Sequence, residues 1–259
     1  MNEINAIAAV ASRDVLKFFR DPARLAATFI FPFAIMALMG GTLQLNLGRS
    51  AGFNFIGFTF TGVLGMTIFQ SSANGITSLM SDRQSDFAQS MFVSPISRYS
   101  IVFGKILGET LVALCTALPM IAFAIILRVP LTPEQILLLG PVCLLCCFVG
   151  GAFGLVLLSM LTDERSSNQL FGFIFLPQFF LAGVFSPVSI LPWYLEIFSL
   201  LSPLRYVVDL IRDVTYAGRA EYHKVVLFDA GLNLLAMATM FVIFMVVGTA
   251  LFVRRETNR

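Results

Sequence analysis

The chain has 259 residues, of which 58% are hydrophobic and only 12% charged, where a soluble domain carries about a quarter charged residues. That balance excludes an ordinary water-soluble globular domain. The net charge of +2 is too small and too dispersed to mark a nucleic-acid-binding surface.

A helix needs about 20 apolar residues to cross the roughly 30 Å hydrocarbon core of a bilayer, so stretches without charge set the topology. Ahead of the first one, Ile4, Ile7, Ala8, Ala11, Val15 and Phe18 recur at helical spacing, with Asn5, Ser12, Arg13, Lys17 and Arg20 on the other side. The pattern predicts an amphipathic helix within residues 1–24, lying at the cytoplasmic interface as a membrane ledge or as a contact for a moving partner. It lacks the basic tip and short apolar core of a cleavable signal peptide, so the first span is expected to persist in the mature protein.

Apolar spans are expected at 25–48 and 50–81. They are continuous rather than alternating, which argues for helices over the strands of a membrane barrel. The polar segment that follows is too long for a tight turn. Ser81 with Gln84 can cap a helix start and Pro95 can end it, placing Phe87, Met91 and Phe92 on one face. An apolar patch of that kind needs a docking partner or a lipid headgroup layer.

The third span, 110–127, is the shortest and extends comfortably back past Glu109 toward Ile101. Glu109 lies one turn from Lys105, which reads as an ion pair. The fourth span is 135–162. Gly104 with Gly108, and Gly150 with Gly154, have the four-residue spacing that lets membrane helices approach closely, by default within one chain. Cys115, Cys143, Cys146 and Cys147 all fall in apolar spans and read as packing residues rather than disulfide or zinc partners.

After the short connection at Asp163-Glu-Arg165, an uncharged run at 166–195 is interrupted by Pro177, Gly183, Pro187 and Pro192. The fifth span is therefore expected to end near Phe185, with Pro187 to Tyr194 dipping partly into the membrane and Trp193 and Tyr194 in the headgroup layer. Beyond it, Leu204, Val207, Val208 and Ile211 share one side of a short helix, and Asp209, Arg212 and Asp213 the other. Residues 186–229 thus read as a re-entrant helical hairpin capping the external end, before a sixth span at 230–253.

Placing the N-terminus inside puts Arg13, Lys17, Arg20, Arg24, Arg83, Arg98, Lys105, Arg165, Arg254, Arg255 and Arg259 in the cytoplasm. Only Arg49, Arg128, Arg205, Arg212, Arg219 and Lys224 remain outside. The positive-inside bias then sets both termini in the cytoplasm. The expected fold class is an all-α membrane protein, a single domain over 1–259 with six transmembrane helices.

No stretch reads GxxxxGK[ST], so the chain holds no phosphate-cradling loop for ATP. The single histidine, His223, reads as an ordinary surface residue, and no metal or cofactor site is expected. A proton- or sodium-driven carrier keeps ionisable groups in mid-membrane, and these spans are nearly free of them. They carry milder polar groups instead: Thr59, Thr61, Thr67, Gln70 and Asn74 in the second span, and Asn168, Gln169 and Gln178 in the fifth. Phenylalanines lie among them, including Phe171, Phe175 and Phe179. Thr59, Thr67, Gln70, Asn74, Phe171, Phe175, Gln178 and Phe179 are the candidates for lining a path suited to an amphipathic or lipophilic passenger. The alternative for any one phenylalanine is lipid contact.

The order of elements, together with Ser94-Pro-Ile-Ser-Arg98, Phe180-Leu-Ala-Gly-Val-Phe-Ser-Pro187, Leu191-Pro-Trp193 and Ser202-Pro-Leu-Arg-Tyr-Val-Val-Asp-Leu-Ile-Arg212, resembles type-2 ABC exporter permeases over nearly the whole chain. The resemblance implies two six-helix permease subunits around a central path in the cell membrane, each seated on a separate ATPase subunit that holds ATP and Mg. It implies that residues 82–98 form the coupling helix, with Asp82, Arg83, Asp86, Phe87, Met91, Phe92 and Pro95 contacting the ATPase. The expected function is export of a drug- or lipid-like substrate. A lipid-linked polysaccharide is the alternative passenger, and a self-contained secondary carrier or channel the alternative class.

Overall fold

The computed structural model describes residues 3–77, 98–160 and 164–257, and every regular element among them is helical. Helix α1 (Glu3–Arg20) runs straight into α2 (Pro22–Ala51). Asp21 makes the break: its side chain accepts a 2.9 Å hydrogen bond from the Arg24 backbone N–H, and Pro22 fills the first helical position, where its missing N–H is not needed. Helix α3 (Phe55–Thr77) starts on Asn54, whose side chain accepts from the N–H groups of Ile56 and Gly57 at 2.8 and 3.2 Å.

Helix α4 (Arg98–Ile126) is followed by α5 (Pro133–Met160). The latter opens on a reciprocal capping box, with the Thr132 and Gln135 backbone N–H groups donating to each other's side chains at 3.1 and 3.2 Å. The remainder is α6 (Glu164–Leu181), a 3₁₀ turn at Val188–Ile190, α7 (Trp193–Leu200), α8 (Pro203–Tyr216), α9 (Tyr222–Val225) and α10 (Ala230–Thr257).

Five segments among the described residues are long and apolar enough to cross a membrane: Pro22–Asn46, Phe55–Ile76, Gly104–Ile126, Pro133–Met160 and Tyr222–Leu251. The sequence predicts six. The difference lies in α6, which opens on Glu-Arg-Ser-Ser-Asn-Gln and whose apolar stretch is only Gly172–Leu181. It also stops short of Phe185. Gly183 takes φ +69°, and the Gly183 and Val184 N–H groups turn back to the Phe180 and Phe179 carbonyls at 3.1 Å each, the left-handed helix stop that glycine favours.

Helix α3 is the central stave, with 83% of its span buried against 17% for α2. It packs on α2, α4, α5 and α8. The two glycine pairs set the close approaches, as their spacing predicts. A Cβ on Gly150 or Gly154 would stand 2.6 or 2.5 Å from the carbonyl oxygens of Phe69 and Ala73 in α3. On α4, Gly104 and Gly108 meet the backbone of α1 at Ile7 and Ala11, each 3.0 Å from such a Cβ. Cys143, Cys146 and Cys147 are buried in α5.

Two predicted helix faces turn out differently. Along α1 the inward stripe is Ala6, Ala11, Asp14 and Phe18, whereas Ile4 and Ala8 are exposed. A carboxylate therefore sits inside the stripe, held there by a lysine from α4. In α8 the side carrying Asp209 and Arg212, predicted to be the polar face, is as buried as the apolar one. Asp209 accepts from the Leu227 and Phe228 backbone N–H groups at 2.9 and 2.8 Å and from Asn233 Nδ2 at 2.9 Å. Arg212 donates to the Gly183 carbonyl at 2.6 Å and lies 3.7 Å over the Phe58 ring. Burial pushes its guanidinium down to about 10, with Asp209 opposing. Tyr216 hydroxyl, buried beside it, is pushed up. A polar face can be interior when each group has a fixed partner, so α8 is a strut inside the bundle rather than a lid on it.

Candidate functional site

Helices α2 and α3 form a hairpin whose strands of side chains run antiparallel, with the short connection at 52–54. Between them lies an open cleft of about 300 Å³. On α3 its lining is Met66, Thr67, Gln70, Ser71 and Asn74, and on α2 it is Arg24, Ala27, Thr28, Phe31 and Pro32. Both sets follow helical spacing, so each is one face of its helix. Because the helices are antiparallel, Arg24 lies at the end shared with Asn74, and Phe31 and Pro32 lie at the end shared with Met66. The cleft is polar and cationic at one end and apolar at the other.

Three of the candidate path residues, Thr67, Gln70 and Asn74, are brought together here. The Thr67 Oγ1 is buried without a hydrogen-bond partner among the described residues. The others lie elsewhere. Thr59 is fully buried where α3 passes Gly40 of α2. Phe175 belongs to an aromatic cluster, 6.0 Å from the rings of both Phe69 and Phe153 and 6.2 Å from Phe179. Gln178 is buried on the same helix. The side chain of Phe171 lies outside the described residues, as do Asp82, Arg83, Asp86, Phe87, Met91, Phe92 and Pro95.

At the cationic end the cleft meets a buried ion cluster. Lys105 Nζ is 3.0 Å from Asp14 Oδ2 of α1 and 3.3 Å from Glu109 Oε1, the pair that its one-turn spacing predicts. Arg24 approaches Glu109 more loosely, at 3.6 Å, and Arg13 pairs with Asp14 at 2.9 Å. Asp14, Lys105 and Glu109 are each 2% exposed, whereas the Arg24 side chain is 34% exposed. Groups of this kind survive burial only when paired. The cluster therefore ties α1, α4 and α2 together beneath the cleft. Sequence reasoning found the Lys105–Glu109 pair but missed Asp14 and Arg24. The available signal was Asp14's position, three and four residues from Ala11 and Phe18 on the inward stripe.

Comparison with known proteins agrees over the same elements. Residues 5–216 match the ABC-2 type transporter family. The chain is 26% identical over 258 residues to a protein of Cyanophora paradoxa named as a transport permease, ycf38, covering 96% of this chain and 88% of that one. It is 27% identical to the protein of the same name from Porphyra purpurea, over 82% of this chain and 74% of that one. With a family match running from α1 to the end of α8, the chain belongs to the ABC-2 type transporters and carries their membrane permease domain over most of its length.

Proposed function

We propose that the chain is the transmembrane subunit of an ATP-driven exporter that moves an amphipathic or lipophilic compound out of the cytoplasm or the inner leaflet. The observation that carries this reading is the cleft between α2 and α3, polar at one end and apolar at the other, on a member of a transporter family. In this reading α6 completes six spans, both termini are cytoplasmic, and two permease subunits pair in the cell membrane. Residues 82–98 dock on a separate ATPase subunit that supplies ATP and Mg.

Thr67, Gln70 and Asn74 contact the passenger in the cleft; Thr59, Phe171, Phe175, Gln178 and Phe179 border the path in another state of the cycle. ATP can drive the passenger only if the two states of the path bind it differently. The carboxylates of the adjoining ion cluster, Asp14 and Glu109, are held by Lys105 and Arg24, which supports this reading over a carrier that binds a coupling ion there. Filling the cleft tests it. Thr67→Trp should abolish transport and passenger-stimulated ATP turnover in vesicles while the complex with the ATPase still purifies intact. Wild-type transport by that variant refutes the assignment of the cleft.

A further inference from the structure

We infer that the cleft between α2 and α3 binds an amphiphile with an anionic headgroup, gripped by Arg24, with its tail along Phe31, Pro32 and Met66. The inference rests on the reading of this cleft as the passenger site and narrows the passenger's chemistry.

Charge comes first. Arg24 is the one charged residue among the described residues that line the cleft. It is also the cation of the ion cluster with the loosest pairing, 3.6 Å to Glu109, and with a third of its side chain open. Its other contacts fix its position: Asp21 accepts from its backbone N–H, and its guanidinium lies 5.4 Å from the Phe18 ring. An arginine presented in this way can offer a two-pronged donor pair to a phosphate or carboxylate.

Polarity comes second. Gln70 and Ser71 line the same half of the cleft as Arg24 and can donate to headgroup oxygens, while Phe31, Pro32 and Met66 make the other half largely apolar. A free anion would leave the apolar half empty, and a neutral apolar molecule would cover Arg24 with only its loose 3.6 Å contact to Glu109 as counter-charge. An acidic amphiphile satisfies both ends. The same geometry makes the headgroup a competitor of Glu109 for Arg24, so an occupied cleft loosens one link of the cluster that holds α1.

The test is native mass spectrometry of the full chain from neutral-detergent micelles, with phosphatidylglycerol and phosphatidylcholine of identical acyl chains as probes. Wild type should bind phosphatidylglycerol about tenfold more tightly, the scale of one charge-assisted contact. Arg24→Gln should erase the preference, and Arg24→Lys, which keeps the charge but not the two-pronged donor pair, should retain only part of it. Glu109→Gln should raise phosphatidylglycerol affinity several-fold and leave phosphatidylcholine unchanged, a gain that misfolding cannot imitate. No headgroup preference in wild type, or a preference that persists in Arg24→Gln, overturns the inference. Displacement of the lipid by inorganic phosphate alone overturns it too, since the site would then be one for a free anion. The passenger reading fails separately, if Thr67→Trp transports normally while the headgroup preference stands.

Discussion

Replacing Asp209 by alanine removes the acceptor that fixes the start of α10 to the buried strut α8. Two backbone donors, Leu227 N–H and Phe228 N–H, lose their partner, while Asn233 Nδ2 keeps the Phe228 carbonyl at 3.2 Å. Both donors are partly buried, so each left unsatisfied costs about 1 kcal/mol, the low end of the range for such groups, and the variant should lose about 2 kcal/mol. For a chain of this size that is a fall of about 4–8 °C in melting temperature. Asp209→Asn keeps one acceptor oxygen and should lose about half as much. The buried thiols Cys143, Cys146 and Cys147 provide the assay: in a Cys115→Ala background, a thiol-reactive dye reports their exposure during heating of the detergent-solubilised chain. If Asp209→Ala melts with the wild type, α8 does not hold its polar partners as described and the strut argument is wrong.

The ion cluster gives a second expectation in the same assay. Lys105→Met leaves Asp14 and Glu109 buried without their shared cation and should cost about 3–5 kcal/mol, whereas Asp14→Asn, Lys105→Met and Glu109→Gln combined should recover most of that loss. Gly150→Val would drive a side chain into the Phe69 carbonyl, so monodisperse protein should vanish on size-exclusion chromatography. Gly172→Val, where nothing lies within 4 Å of the new Cβ, should elute as wild type. Phe87→Ala with Phe92→Ala tests the proposed coupling helix: each aromatic anchor lost from a docking interface costs about 2 kcal/mol or more. The double variant should lose co-purifying ATPase or its passenger-stimulated turnover, and retention of both removes residues 82–98 from the coupling role.

The sequence by itself determined the class of protein and the location of its long helices, because a 20-residue absence of charge is a local property that lipid demands. It also determined the two glycine pairs and the Lys105–Glu109 pair, whose partners sit one turn apart on a single helix. Only the tertiary structure decided what required partners distant in the chain. Asp14 is buried because Lys105 of α4 meets it, and Asp209 and Arg212 are buried because the 226–233 segment and the Gly183 turn present their backbone groups to them. Thr67, Gln70 and Asn74 were legible as a polar row, but not their pairing with Arg24, Thr28 and Phe31, since the register of one helix against the next is fixed by packing and leaves no periodic trace in either.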